Sequence, residues 1–106
     1  MFGIFKTLFS TNNNDALKDA IHNHAFLVDV RTPAEFSAGS VKGAVNIPLN
    51  QLPNQLDKFK NKKSIIVFCR SGSRSGQAKS FLEKNGFDNV FNGGTWQNVE
   101  QLIHQQ

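Results

Sequence analysis

Cysteine and histidine are scarce in this chain, which has one cysteine, Cys69, and three histidines among 106 residues. A single cysteine excludes an intramolecular disulfide, so nothing in the sequence argues for an oxidising compartment. None of the histidines has a second ligand at a metal-binding spacing. We therefore expect no metal site and no cofactor.

Long hydrophobic runs are also lacking. The most apolar terminal stretch, residues 1–9 (MFGIFKTLF), is short, and a lysine interrupts it. A membrane-spanning helix needs about 20 apolar residues, and a secretory signal needs a charged region before a run of about 7–15. We expect no membrane span and a cytoplasmic location. Residues 1–13 are interpreted as an arm or short helix covering the domain, with a weak membrane or partner contact as the alternative.

Acidic residues are outnumbered, 8 Asp and Glu against 12 Lys and Arg, which gives a net charge of +4. This excess favours anionic partners in general. The lysines are not gathered with aromatic residues on one surface, so we expect no nucleic-acid partner. The one basic cluster is interpreted as a solvated connection, and it comprises Lys58, Lys60, Lys62 and Lys63.

Short apolar runs alternate with segments of helical spacing along the chain. The runs at 25–30, 44–47, 64–68 and 89–91 are typical of buried parallel strands. Helices are predicted at 14–22, after Thr32 as far as Gly39, at 49–56, at 77–84 and at 95–105. This order predicts one α/β domain over residues 14–106, with helices on both faces of a parallel sheet.

The only cysteine begins a loop of small and basic residues, Cys69-Arg70-Ser71-Gly72-Ser73-Arg74-Ser75-Gly76. It follows a predicted buried strand and precedes a predicted helix. Guanidinium groups and a helix N-terminus both favour a thiolate, and small residues let backbone N–H groups converge on one anionic atom. A buried structural cysteine is the alternative, but an inert thiol needs neither the arginines nor the glycines. We predict that Cys69 is a reactive nucleophile.

Two further charged residues, Asp29 and Arg31, bracket the end of the first predicted strand. Open α/β sheets build their sites at the carboxyl ends of strands. Because a buried carboxylate needs hydrogen-bond partners, we expect Asp29 to be a structural acceptor rather than a general base. Arg31 is expected to support the site with it.

Four stretches together resemble the signatures of rhodanese-like domains, and the resemblance extends from about Asp15 to the C-terminus. They are Asp29–Phe36 (DVRTPAEF), Gly39–Pro48 (GSVKGAVNIP), Cys69–Arg74 and Phe91–Gly94 (FNGG). The resemblance implies a five-stranded parallel sheet flanked by helices and a single-domain thiosulfate sulfurtransferase. Two positions depart from the family pattern. Ser40 stands where histidine is frequent, and Asn98 holds the usual tryptophan position while the tryptophan is Trp96.

By this resemblance Cys69 would take the outer sulfur of a small anionic donor as a persulfide and pass it to a thiophilic acceptor such as cyanide, a thiol or a protein thiol. Backbone N–H groups would surround the terminal sulfur. The residues expected to bind substrate are Arg70, Ser71, Gly72, Ser73 and Arg74. The two arginines suit the sulfite end of thiosulfate, although either could form a salt bridge instead, and Arg74 is also placed to hold the loop.

Three other functions use the same loop. A cysteine phosphatase has five residues between cysteine and arginine, whereas four separate Cys69 from Arg74, and Ser75 stands where the phosphatase arginine belongs. A non-catalytic persulfide carrier would need the same residues and stays open. A pure binding module is disfavoured by the intact cysteine and arginines.

Overall fold

The computed structural model describes residues 14–105, so the predicted arm at residues 1–13 lies outside the described residues. A first helix, α1, covers residues 14–22. The remaining elements are, in chain order, β1 (Phe26–Asp29), α2 (Pro33–Ala38), β2 (Val45–Asn46), two 3₁₀ helices (Leu49–Asn54 and Leu56–Phe59), β3 (Ile65–Cys69), α3 (Ser73–Lys84), β4 (Val90–Thr95) and α4 (Trp96–Ile103). None of the described helices is long and apolar enough to span a bilayer.

The strands form one parallel sheet in the order β2-β1-β3-β4. The central strand β3 is buried along its whole length, as expected for a parallel strand covered on both faces. The predicted α/β class and parallel sheet are confirmed. The described residues contribute four strands, whereas the resemblance implies five.

Alternate residues of β3 support two apolar layers. Ile65 and Val67 pack in one cluster with side chains from α3 and the 3₁₀ helices, while Ile66 and Phe68 pack in the other with α1 and α4. This alternation follows from the two-residue period of a strand. Helices therefore cover both faces of the sheet, as predicted.

The predicted start of α2 is confirmed in detail. Thr32 accepts from the backbone N–H of Glu35, and the Glu35 carboxylate accepts from the backbone N–H of Thr32, so a complete capping box begins the helix. Pro33 occupies the first helical position, where its missing N–H costs nothing. At the other end, Gly39 caps the helix with its N–H on the carbonyl of Phe36.

Three predicted boundaries were wrong. The segment at 49–56 is not one α-helix but two 3₁₀ helices separated at Gln55, and Pro53 inside the first has no N–H for an α-helical bond. Helix α3 begins at Ser73 rather than Gln77, because Gly72 adopts φ 97° and turns the chain sharply from strand to helix. The last strand was predicted at 89–91, but β4 continues to Thr95 and includes Gly93 and Gly94.

Gly93 has a packing reason to lack a side chain. A Cβ at this position would lie 2.6 Å from Cγ2 of Val99 and 2.9 Å from Cγ2 of Ile66. The absence of that atom lets α4 approach the sheet closely. Thr95 is the N-cap of α4, and its hydroxyl accepts a hydrogen bond from the backbone N–H of Asn98.

Candidate active site

The parallel strands bring their carboxyl ends, and the residues that follow them, to one edge of the sheet. Asp29 ends β1, Cys69 ends β3 and Thr95 ends β4, while α3 begins four residues after Cys69. In open α/β sheets this is the edge at which sites form. The site is therefore assembled from segments that are distant in sequence.

The sulfur of Cys69 is held by donors from the short connection into α3. The backbone N–H of Gly72 donates to Sγ at 3.0 Å, and that of Ser75 donates at 3.4 Å. The Ser75 hydroxyl lies 3.4 Å from the same atom. The side chain of Cys69 is fully buried, so Sγ depends on these protein groups rather than on water for its solvation.

Burial by itself raises the pKa of the Cys69 thiol, because the anion loses hydration. The hydrogen bonds act in the opposite direction, first the hydroxyl and N–H of Ser75 and then the N–H groups of Ser71 and Gly72. Together these hydrogen bonds outweigh the effect of burial, so the pKa of the Cys69 thiol is lowered from its ordinary value. The loop thus favours the thiolate, the form in which cysteine is a nucleophile.

The Ser75 hydroxyl is itself held by Asn92 in β4. Ser75 Oγ donates to Asn92 Oδ1 at 2.7 Å, and Asn92 Nδ2 donates to the carbonyl of Gly72 at 3.3 Å. Asn92 therefore ties the cysteine loop to the neighbouring strand. Sequence reasoning did not identify either side chain as part of the site. The position of Ser75 inside the loop was an available signal, but nothing in the sequence relates Asn92 to Cys69.

Arg74 forms a bidentate pair with Glu35, the residue of the α2 capping box. Its Nη1 lies 2.8 Å from Oε1 and its Nη2 lies 3.0 Å from Oε2. The hydrogen bond from Arg74 is the largest cause that lowers the pKa of Glu35 from 4.5 to about 2, and the same pair raises the pKa of Arg74. The Arg74 guanidinium thus joins α3 to α2, and Glu35 was not among the predicted site residues.

The other loop residues lie at the surface. Arg70, Ser71 and Ser73 are exposed. Within the described part of the chain, the Arg70 side chain forms neither an ion pair nor a hydrogen bond. The two arginines of the loop are therefore in different states, since Arg74 is paired with a carboxylate and Arg70 extends from the loop without such a partner in residues 14–105.

Asp29 and Arg31 form a buried pair beside the loop. Asp29 accepts from Arg31 Nη2 at 2.7 Å and Nε at 2.9 Å, and from the backbone N–H of Arg31 at 3.0 Å. Ser40 donates to Asp29 Oδ2 at 2.6 Å, so the serine at the position where the family often has histidine makes a hydrogen bond to the buried carboxylate. The Asp29 carboxylate is an acceptor for several donors, which is the geometry of a structural residue.

The unusual tryptophan position also has a structural explanation. The ring of Trp96 lies 5.5 Å from the Arg31 guanidinium carbon, a cation–π distance. Asn98, which holds the usual tryptophan place, donates from Nδ2 to the carbonyl of Gly93 at 2.8 Å. Among the described residues no group of three or more metal-ligating side chains is present.

Comparison with known proteins identifies the family. Residues 13–95 match the family model of the rhodanese-like domain. The thiosulfate sulfurtransferase PspE of Escherichia coli is 36% identical over 69 residues, which cover 63% of this chain and 66% of that protein. A sulfurtransferase of Allochromatium vinosum is 36% identical over 66 residues, 62% of each chain.

A tRNA uridine(34) hydroxylase of Pelagibacter ubique is 40% identical over 68 residues, which cover 61% of this chain but only 23% of that protein. The chain thus spans less than two thirds of the length of these curated relatives. Among solved structures, a rhodanese with anions from E. coli superposes with a TM-score of 0.64 at 33% identity, covering 70% of this chain and 89% of that one. From the matched model, the relatives and the fold together, the chain belongs to the rhodanese-like domain family.

Proposed function

We propose that the protein is a sulfurtransferase that moves a sulfane sulfur from thiosulfate, or a similar anionic donor, to a thiophilic acceptor through a persulfide on Cys69. The observation that carries the proposal is the set of donors on Sγ, namely the N–H groups of Gly72 and Ser75 and the Ser75 hydroxyl. They favour the thiolate at the edge of the sheet where sites of this fold class form. The names of two relatives, sulfurtransferase and thiosulfate sulfurtransferase, support the same chemistry.

The reaction has two steps, each with its own nucleophile. In the first, the Cys69 thiolate attacks the outer sulfur of thiosulfate, the bond between the two donor sulfurs breaks, and its electron pair leaves with sulfite. In the second, the acceptor attacks the outer sulfur of the persulfide, and the electron pair of the broken S–S bond returns to Sγ. No general base is required, because thiosulfate brings no proton to remove. This is covalent catalysis with sulfur as the transferred group.

The two arginines take different parts in this proposal. Arg70 is exposed and adjacent to Cys69, which supports its proposed role of binding the sulfite end of the donor. Arg74 forms a bidentate ion pair with Glu35, and in this proposal it positions the start of α3. Ser73 and Arg74 are the first residues of that helix, whose first N–H groups have no acceptor within it. Together with Ser71 and Gly72, they offer backbone donors to the charged end of a persulfide.

A persulfide carrier that takes sulfur from a protein donor is the alternative, and it requires the same residues. The complete burial of Cys69 does not distinguish the enzyme from the carrier, because any donor, small or protein-bound, reaches Sγ only if neighbouring atoms move. We do not propose a hydroxylase function, because the chain matches only about a quarter of the length of the relatives with that name. The phosphatase alternative is disfavoured by the four-residue spacing between Cys69 and Arg74.

The test is to incubate the protein with thiosulfate and to weigh it intact. We expect a mass gain of one sulfur, complete loss of that gain in Cys69→Ser, and return to the starting mass with formation of thiocyanate when cyanide is added. An equal gain in Cys69→Ser would contradict the proposal. Repeated turnover with thiosulfate and cyanide identifies an enzyme, whereas slow turnover combined with rapid loading by a protein persulfide identifies the carrier.

A further inference from the structure

The Ser75 hydroxyl is within hydrogen-bond distance of two atoms, although it has one proton to donate. Its Oγ lies 3.4 Å from Sγ of Cys69 and 2.7 Å from Oδ1 of Asn92, and the serine is fully buried. We propose that Ser75 is a further catalytic residue, a switchable donor that turns to Sγ whenever Cys69 is a thiolate and to Asn92 whenever Cys69 carries sulfur. The proposal rests on the proposed persulfide chemistry and adds to it how the charge on Sγ is stabilised.

Hydrogen-bond counting supports two positions of the hydroxyl proton. A serine hydroxyl has one donor and two acceptor sites, and its hydrogen rotates without movement of the heavy atoms. When Sγ is a neutral thiol, it can donate to Ser75 while Ser75 donates to Asn92. A thiolate has no proton to donate, so the favourable arrangement is reversed and the hydroxyl donates to Sγ. Hydrogen bonds to charged groups are stronger than neutral ones, which provides the preference.

Asn92 is built to tolerate this exchange. Its Oδ1 also accepts from the backbone N–H of Gly94 at 2.9 Å, and its Nδ2 donates to the carbonyl of Gly72 at 3.3 Å. These two bonds fix which end of the amide faces Ser75. They also leave Oδ1 with a donor after the hydroxyl has turned away. No buried polar group is left without a partner in either position, which keeps the cost of switching low.

The charge on Sγ changes in each step of the proposed reaction. During loading, Sγ gives an electron pair to the outer sulfur and becomes neutral, and the negative charge moves to the terminal sulfur. During discharge, the Sγ–S bond breaks and its electron pair returns to Sγ as a thiolate. A donor to Sγ therefore stabilises the product of discharge and the reactant of loading. Leaving sulfurs of lower pKa depart faster, while attacking thiolates of lower pKa are weaker nucleophiles.

These opposite effects give Ser75→Ala a kinetic signature. Discharge should slow about tenfold at every pH, because Sγ becomes a poorer leaving group. Loading should slow at neutral pH, where less thiolate is present, and should recover to at least the wild-type rate once the pH exceeds the thiol pKa of both proteins. A residue that only held the loop in shape would slow both steps at all pH values.

The charged groups near Sγ do not interfere with this pH profile. Arg74 at the start of α3 has a raised pKa, and Glu35 in α2 has a pKa of about 2, so both keep their charges. At the end of β1, Asp29 is bound to Arg31. Arg70 is the exposed guanidinium next to Cys69, and β4 presents Asn92 and Thr95, whose side chains carry no titratable group.

The experiment measures loading with thiosulfate and discharge with cyanide separately, by intact mass, in single turnovers from pH 6 to 10. Ser75→Thr keeps the hydroxyl and should restore discharge towards the wild-type rate. Ser80→Ala makes the same chemical change at an exposed position of α3 and should leave both rates unchanged. Melting temperatures establish that the variants are folded.

The outcomes separate this inference from the proposed function. If the wild-type protein takes up no sulfur, the persulfide function itself fails. If the wild type loads but Ser75→Ala discharges at the wild-type rate, or if both steps slow equally at every pH, Ser75 is not the switch. If Ser75→Thr does not fold, the loading profile of Ser75→Ala still decides, because only loss of a donor to Sγ makes that defect disappear at high pH.

Discussion

Two arginine–carboxylate pairs lie at the same edge of the sheet and differ in their exposure to water. In the pair of Arg31 and Asp29, 6% and 0% of the side chains are exposed. In the pair of Arg74 and Glu35, the corresponding fractions are 32% and 28%. Both are bidentate and short, so the geometry of the ion pair does not distinguish them.

The difference lies in what each pair can do for the fold. A buried charge that loses its partner has no water to replace it, so the Arg31–Asp29 pair is an essential part of the core beneath the site. A pair with about a third of each side chain exposed is screened by solvent and contributes little to stability. The Arg74–Glu35 pair acts chiefly on position, because it joins the helix that carries Ser75 to the capped start of α2.

The largest effect is expected from breaking the buried pair. Arg31→Ala leaves the Asp29 carboxylate buried without its ionic partner and also removes the donor to the carbonyl of Gly39 and the contact with Trp96. The free energy of unfolding should fall by about 3–5 kcal/mol, a value measurable by urea denaturation. Arg31→Lys should recover only part of this lost free energy, because lysine keeps the charge but lacks the planar guanidinium that donates two hydrogen bonds to the carboxylate. A loss no greater than that of Arg74→Ala would contradict the contrast between the two pairs.

Breaking the half-exposed pair should change the reaction more than the stability. Arg74→Ala should reduce the rate of sulfur loading by roughly ten- to a hundredfold, because small displacements of reacting groups are costly, while stability falls much less than in Arg31→Ala.

Arg70→Ala is the matched variant, since it removes the loop arginine without a described partner. It should raise the KM for thiosulfate and affect the melting temperature less than Arg74→Ala. If Arg70→Ala leaves thiosulfate kinetics untouched, the carrier function becomes the better one.

The smallest effect is expected from the loss of the Glu35 charge at low pH. Glu35 has a pKa of about 2 in the folded protein against an ordinary value of 4.5. As the pH falls, the unfolded chain therefore takes up this proton first, and the stability from the carboxylate is fully present above 4.5 and lost towards 2. The difference in unfolding free energy between the wild type and Glu35→Gln should narrow over that interval and should shrink in high salt. An identical pH dependence in both proteins would show that the pair contributes nothing.

Much of the local structure was predictable from residues that act on their near neighbours. The capping box of Thr32 and Glu35 depends on a three-residue spacing that is visible in the chain. The buried run before Cys69 places the thiol at a strand end, and the small residues after it permit a tight connection to a helix. The resemblance to the family signatures then predicted the fold, and the parallel sheet confirms that prediction. The short 3₁₀ helices were missed because leucines at spacings of three and four do not distinguish a 3₁₀ from an α-helix.

By itself, then, the sequence determined the α/β class, the position of the one cysteine and the basic loop that follows it, since each depends on residues within a few positions of one another. Only the tertiary structure decided which partners those residues have. Asn92 reaches Ser75 because β3 and β4 are neighbours in the sheet, and Glu35 reaches Arg74 although the two lie 39 positions apart in the chain. Such pairings depend on how strands and helices are arranged in space. The spacing between a residue and its sequence neighbours does not indicate which distant group its side chain will contact.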